Sequence, residues 1–338
     1  NMKSGIYGAG SIGCYLGGCL ASQGVDVLFL CRARIYATLQ KNGLRLTDFH
    51  GREDYIAAEQ LKLTLNPEDL LGLDIIFICV KSDATEQVAE ALKALSISDQ
   101  TILISFQNGV SNVPILKSVL PKLQILEGMV PFNVSMQGEE HFHQGTEGAL
   151  YVKCFQQQAW LSTQLEHAHL PIEFSTDMLA VQWAKILLNL NNAVNGLSGQ
   201  PLQKQLSNRA YRQCLAMAQK ETLKLLKLAK IKPAQLTAVP AGVIPSILNL
   251  PNVIFKIISR KMLAIDPLAR SSMQDDLSAG KHTEIDWING EVIRLAEQLG
   301  QTAPINLKLV TLIKNAEQQE HYTPMSSQDL KRHLLASK

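Results

Sequence analysis

Short apolar runs alternate with amphipathic stretches through the first half of the chain, the order that parallel strands with crossover helices require. The runs Lys3–Tyr7, Val25–Cys31, Ile75–Val80, Thr101–Ser105 and Gln124–Met129 are predicted as strands. Between them, Ser11–Gln23, Ala33–Asn42, Ala84–Leu95 and Val110–Val119 are predicted as helices. The run Ile75–Val80 is apolar at every position, which marks a strand covered on both faces. Around Gly43–Ala58 and Pro131–Lys153 residues alternate between glycine-containing turns, which predicts antiparallel additions to the sheet. After about Ile172 the pattern turns helical, over Asp177–Val194, Ser207–Ile231, Ile285–Leu299 and Pro304–Gln319. The expected fold class is α/β plus all-α: a Rossmann-type doubly wound domain over residues 1–172, then a helical domain over residues 173–338.

Composition narrows the function classes. At 46% hydrophobic and 18% charged residues, the chain has enough apolar material for real cores, which excludes general disorder. Lys and Arg number 32 against 30 Asp and Glu, with no long single-sign block, so nothing drives sequence-independent binding to nucleic acid or anionic lipid. The most apolar stretch, Ala238–Ile258, is interrupted by Pro240, Pro245, Asn249, Pro251, Asn252 and Lys256. It is expected to be buried core and not a membrane span. The six cysteines form no C-x-x-C and mostly sit in apolar runs, which suits a reducing compartment. The first predicted strand starts too early for a signal peptide to precede it, and a cytoplasmic location is expected. Neither His141-x-His143 nor His167-x-His169 has companions at zinc spacing, so no metal is expected. The hydrophobic C-terminal half permits a homodimer.

Directly after the first strand stands Gly8-Ala9-Gly10-Ser11-Ile12-Gly13, a G-x-G-x-x-G that opens a helix. In that context the first glycine serves the turn, the second the approach of a pyrophosphate and the third close helix–strand packing. The second strand ends on Arg32, with Arg34 following, whereas the nearby acid, Asp26, lies at its beginning. An acid at the strand end would hold a ribose 2′-hydroxyl; an Arg there suits a 2′-phosphate, so NADP is expected over NAD. Lys81 and Asn108-Gly109 follow two further strands at the edge where open α/β sheets bind ligands. The plainer alternatives are a solvated strand-end charge and a simple turn.

In the helical half, Lys185, Asn189 and Asn192 fall on one stripe of an apolar helix, with Asn189 about 40° and Asn192 about 20° either side of Lys185. A buried polar stripe needs partners, and a polar ligand or neighbouring loops would supply them. Thr283 with Asp286 resembles a capping arrangement, which would put Glu284 in the first turn of a helix.

Together these segments resemble the ketopantoate reductase family. The resemblance rests on the G-x-G-x-x-G, Arg32, Val80-Lys81, Gln107-Asn108-Gly109-Val110, Trp183-x-Lys185-x-x-x-Asn189 and Ser271-Ser272-Met273 with Thr283-Glu284-Ile285-Asp286 and Asn289-Gly290, in the family's order from Gly8 to Gly290. It implies a 6-phosphogluconate dehydrogenase-like helical domain after the Rossmann domain, with the site in the cleft, and reduction of 2-dehydropantoate by NADPH. Lys185 would be the general acid and Glu284 the acceptor for the substrate hydroxyl. Asn108, Asn189 and Asn192 would orient the substrate, and Ser272 would donate to its carboxylate. Gly8, Ala9, Gly10, Ser11, Ile12, Gly13, Arg32, Lys81, Asn108 and Glu284 would contact the cofactor. Two positions depart from the family, Ala84 where members often carry Gln and Ala193 where they often carry Asn. They leave a paralogous reductase of another 2-oxo acid as the alternative; retention of Lys185 and Glu284 argues against a catalytically silent NADP sensor.

Overall fold

The computed structural model describes residues 1–261 and 265–338. Two compact units divide the chain, Asn1–Met178 and Leu179–Lys338. The sequence pattern puts the division after residue 172; the strand that follows, Ile172–Ser175, instead completes the first unit's sheet.

In chain order the first unit comprises β1 (Ser4–Tyr7), α1 (Ser11–Ser22), β2 (Val27–Leu30), α2 (Ala33–Asn42), β3 (Leu44–Asp48), β4 (Glu53–Ile56), β5 (Lys62–Thr64), β6 (Ile75–Ile78), α3 (Thr85–Ala94), β7 (Ile102–Ser105), α4 (Asn112–Val119) and β8 (Gln124–Met129). There follow β9 (Val134–Gly138), β10 (His141–Gln144), β11 (Leu150–Lys153), α5 (Gln158–His167) and β12 (Ile172–Ser175). Eight strands form one sheet in the order β12-β11-β8-β7-β6-β1-β2-β5. Every pairing in it is parallel except β11 with β8. The chain runs from β1 to β2 on one side and returns to β6 on the other, so the end of β1 is a topological switch point. Along β6 the apolar residues divide between two cores, Ile75 and Phe77 facing one, Ile76 and Ile78 the other.

The alternating segments correct the expectation of simple additions to this sheet. Only β11 joins it as an antiparallel strand; β4, β3, β10 and β9 form a separate four-stranded sheet, in which β3 and β10 run parallel. Helix α1 lies between the two sheets. A side chain at Gly17 would meet Phe29 of β2 at 2.5 Å, and one at Gly18 would meet Leu44 and Leu46 of β3 at 2.8 Å, so the glycine pair permits this close double contact.

The second unit is helical among the described residues: α6 (Met178–Asn189, its first residue belonging to the first unit), α7 (Asn191–Ser198), α8 (Leu202–Leu206), α9 (Arg209–Leu228), α10 (Ile244–Leu248), α11 (Asn252–Ile258), α12 (Ser272–Ser278), α13 (Asn289–Gln298), α14 (Pro304–Glu317) and α15 (Ser327–Ala336). Two predicted helices are broken. The first is interrupted at Leu190, where Gln219 of α9 donates to the Leu187 carbonyl at 3.1 Å, the acceptor an unbroken helix would offer to the Asn191 amide. The second begins as a 3₁₀ turn, Ile285–Trp287, and restarts after Ile288. The apolar stretch before residue 258 is only partly core. Leu248 and Phe255 are buried, with Phe255 under the wholly buried Arg212 guanidinium, whereas Val253, Ile254, Ile257 and Ile258 are exposed. No helix among the described residues is long and apolar enough to cross a membrane.

Candidate active site

The glycine loop sits at the switch point. Gly8 has φ +102°, and a β-carbon there would stand 2.8 Å from the Val80 amide nitrogen, so both conformation and space require glycine. Around Gly10 the position of a β-carbon is open, with nothing within 4 Å. Gly10 is the N-cap of α1 and supplies no side-chain cap, so the helix starts with amide donors of Ser11, Ile12 and Gly13 in need of partners. Open space beside uncapped donors at a helix start is what a pyrophosphate fits. Ala9 is fixed against the neighbouring strand by its amide bond to the Leu30 carbonyl at 3.3 Å.

At the end of β2, Arg32 is exposed and makes no ion pair among the described residues. Arg34 instead pairs with Glu139 at 2.7 Å and holds that carboxyl below its ordinary range. Asp26, at the opposite end of the strand, is occupied by Lys62 at 2.8 Å. The corner that follows β2 therefore presents a guanidinium and no carboxylate of that strand, which fits a 2′-phosphate better than a bare 2′-hydroxyl.

Lys81 and Asn108 emerge from the neighbouring strands β6 and β7, and a buried polar lattice joins the two loops. Asn112 donates to the Asn108 carbonyl at 2.7 Å and to Ser82 Oγ at 3.2 Å, and accepts from Thr85 Oγ1 at 2.7 Å. Gln107 donates to Thr85 Oγ1 at 2.9 Å and to the Val80 carbonyl at 3.2 Å, and accepts from Ser105 Oγ. The lattice leaves Lys81 exposed and Asn108 half-buried at the carboxyl edge of the sheet.

In the second unit Lys185 lies on α6 one turn before Asn189, and both are half-buried on a helix whose other residues, Gln182 apart, are apolar. Although part of Lys185 stays accessible, the packing around its ammonium lowers the pKa to about 8. Asn192 lies half-buried on α7, beyond the break at Leu190. Ser272 is the exposed first residue of α12, between buried Ser271 and Met273. Glu284, partly exposed, precedes the 3₁₀ turn. The expected capping arrangement is met only in part: Thr283 Oγ1 accepts from the Ile285 amide at 3.3 Å, but Thr283 donates to Glu317 through both its amide (2.9 Å) and hydroxyl (2.6 Å), and Asp286 pairs with Lys314 at 3.0 Å. Both ties anchor the Glu284 turn to α14, and α14 and α12 each pack against α7. Lys185, Asn189, Asn192, Ser272 and Glu284 thus hang on one framework.

Sequence reading missed the polar groups that build it. Asn191 and Gln205 exchange reciprocal side-chain hydrogen bonds, at 3.1 and 2.9 Å, and Asn195 bonds the Ser271 segment. Asn191 and Asn195 are spaced i, i+4, a signal overlooked beside the Lys185 stripe. Elsewhere, Thr47 Oγ1 lies 2.6 Å from His141 Nε2 and 2.7 Å from His143 Nδ1. No group of three metal-binding side chains occurs among the described residues. Cys14, Cys19, Cys31 and Cys214 are buried, while Cys154 is exposed; burial pushes the Cys31 and Cys79 thiols up to about 12.

Comparison with known proteins follows the same two-part division. Residues 4–157 match the family model described as ketopantoate reductase PanE/ApbA, and residues 177–317 match the model of that family's C-terminal part. The 2-dehydropantoate 2-reductase of Archaeoglobus fulgidus is 26% identical over 319 residues, covering 92% of this chain and 97% of that one. The crystal structure of a PanE/ApbA family ketopantoate reductase from Ralstonia eutropha JMP134 superposes with TM-score 0.79 at 26% identity, covering 94% of this chain and 98% of that one. A ternary structure of D-mandelate dehydrogenase with NADH and anilino(oxo)acetate has TM-score 0.76 at 20% identity, with 94% and 98% covered.

Proposed function

The chain belongs to the ketopantoate reductase PanE/ApbA family, and from that premise we propose that it reduces 2-dehydropantoate to (R)-pantoate with NADPH, in the cytoplasm, as a step of pantothenate biosynthesis. The observation that carries this reading is Lys185, whose pKa of about 8 keeps its ammonium protonated at neutral pH yet able to release a proton. Bound NADPH supplies the hydride that the ketone carbon accepts. Lys185 protonates the ketone oxygen from Nζ as its negative charge develops. Asn189 and Asn192 orient the 2-oxo acid through their amides, and Ser272 Oγ donates to its carboxylate. Glu284 accepts from the substrate hydroxyl and so fixes the face presented. Gly8 to Gly13 hold the pyrophosphate, Arg32 the 2′-phosphate, and Lys81 and Asn108 the nicotinamide end. The preference for NADPH is supported by Arg32 at the end of β2 and by the Asp26–Lys62 pair. A homodimer belongs to the same reading and is checked by light scattering.

One observation favours a second reading, a paralogous reductase of another branched 2-oxo acid. Ala193 is wholly buried in α7, so the amide that family members often carry at this position has no counterpart there. The experiment is steady-state oxidation of NADPH, and of NADH, with ketopantoate beside a panel of other 2-oxo acids. The highest kcat/KM for ketopantoate with NADPH is expected. Turnover confined to another acid selects the second reading, and cofactor binding without turnover of any acid refutes both.

A further inference from the structure

We propose that Asn195 is a positioning residue for the substrate carboxylate, holding Ser272 in register with the Lys185 helix; this rests on the role of Ser272 stated above. Asn195 is wholly buried, yet every polar atom of its side chain is used. Its Oδ1 accepts from the Ser271 amide at 3.0 Å and from Ser271 Oγ at 2.7 Å, while its Nδ2 donates to the Gln200 carbonyl at 2.9 Å. Gln274, one turn into α12, returns its Nε2 to the Asn195 carbonyl at 2.9 Å and to the Gln200 carbonyl at 2.8 Å. Ser271 Oγ, held by Asn195, accepts in turn from the Gln274 amide at 3.1 Å and so caps α12.

The Asn195 side chain grips the residue directly before Ser272. Its neighbours Ser271 and Met273 are buried, and Ser272 alone of the three faces outward. The direction of its hydroxyl follows from how the Ser271 peptide is held, and Asn195 holds that residue by both main chain and side chain. Asn195 itself lies on α7, which continues from the Lys185 helix across Leu190, and the Asn191–Gln205 pair braces it one turn earlier. The Asn195 side chain, together with Gln274 on the Asn195 carbonyl, therefore couples the element bearing the proposed proton donor to the element bearing the proposed carboxylate donor. An aspartate would set a carboxylate oxygen against the Gln200 carbonyl, and an apolar residue would leave the Ser271 hydroxyl and amide unmatched, so the position calls for an amide.

The test uses the full chain with Asn195→Ala and Ser271→Ala, singly and combined. For Asn195→Ala, KM for the 2-oxo acid is expected to rise about tenfold or more, with KM for NADPH and kcat little changed. Combining the substitutions is expected to add less than the sum of the single effects, because both remove the same hydrogen bond. Amide hydrogen exchange is expected to accelerate over residues 272–278 and to stay unchanged over 178–189. An unchanged oxo-acid KM with only a lowered Tm, or equal rises in both KM values, would overturn the proposal. A parent protein that binds NADPH but turns over no 2-oxo acid overturns the function reading and this role with it. The exchange measurement needs no substrate, so it separates that failure from a failure of Asn195 to hold the segment.

Discussion

Gly13 stands so close to Gly8 that a β-carbon at position 13 would collide with the Gly8 carbonyl oxygen. The outer glycines of the loop are thus required by the protein's own packing, whereas Gly10 faces open space. Gly13→Ala is expected to destabilise the chain by about 1–3 kcal/mol through forced backbone displacement. Gly10→Ala is expected to leave the Tm unchanged and to weaken NADPH binding about tenfold or more, since only the pyrophosphate needs that space. Thermal melts with and without cofactor distinguish the two; a Gly10→Ala protein with native cofactor affinity would remove the loop from the binding site.

Lys185 sets a pH dependence in two observables. In its proposed role of proton donor it must be charged, so kcat for reduction is expected to fall as pH rises past about 8. Lys185→Ala is expected to lower kcat by roughly 10²–10⁴-fold with the fold intact. Stability moves oppositely. The unfolded lysine stays protonated up to its ordinary value of 10.5, whereas the folded one releases its proton near 8. Between those pH values the unfolded state binds more protons, and stability rises with pH. Lys185→Met, which removes the buried charge, is expected to raise the Tm at pH 7 while abolishing turnover.

The two arginines after β2 are expected to separate in cofactor choice. Arg32→Ala should raise KM for NADPH about tenfold to a hundredfold or more, as loss of the proposed charged phosphate contact of roughly 1.5–3 kcal/mol requires, and leave NADH nearly unaffected. Arg34→Ala should change the preference little, because its guanidinium is taken by Glu139 on the rim of the second sheet. An unaltered NADPH/NADH ratio in Arg32→Ala would refute the assignment of NADP.

Asn112 lies outside the substrate assignments yet supports Asn108. Asn112→Ala removes one of several buried partners from Thr85 Oγ1, which keeps Ser82 and Gln107, and from the Asn108 carbonyl, which keeps Ser82 Oγ, and is expected to cost about 1–3 kcal/mol. Urea titration measures the loss, and a raised KM for NADPH is expected to accompany it as the Asn108 loop loosens. A loss of stability with unchanged kinetics would confine Asn112 to a structural role.

The legible parts of this molecule were those that a local pattern determines. Short apolar runs located β1, β2, β6, β7 and β8, because a strand covered on both faces has little freedom in composition. The strand β5, three residues long at the sheet edge, has too little apolar character to stand out. The second sheet was misassigned because β3 and β10 pair across a long sequence separation that alternation does not encode. The break at Leu190 was invisible for a similar reason: the group that takes the Leu187 carbonyl, Gln219, comes from a distant helix. The residues proposed to carry the chemistry stood out as polar positions in apolar surroundings. Their supports, Asn112, Gln107, Asn195 and Gln205, looked like ordinary amides until the fold revealed what each one bonds.

The placement of α1 between two sheets bears on how the first unit is assembled during synthesis. The strands covering its rear face come from both sides of the β5–β8 stretch in sequence, so the helix is packed against β1 and β2 long before β10 arrives behind it. Until then Tyr15 lacks Gln144, its hydroxyl partner at 2.8 Å, and the helix face around Gly18 and Cys19 lacks Phe142. A fragment ending after β8 would carry the whole glycine loop and still expose this apolar face, inviting aggregation. The first unit's sheet is therefore complete only at Ser175, where its last strand pairs with β11.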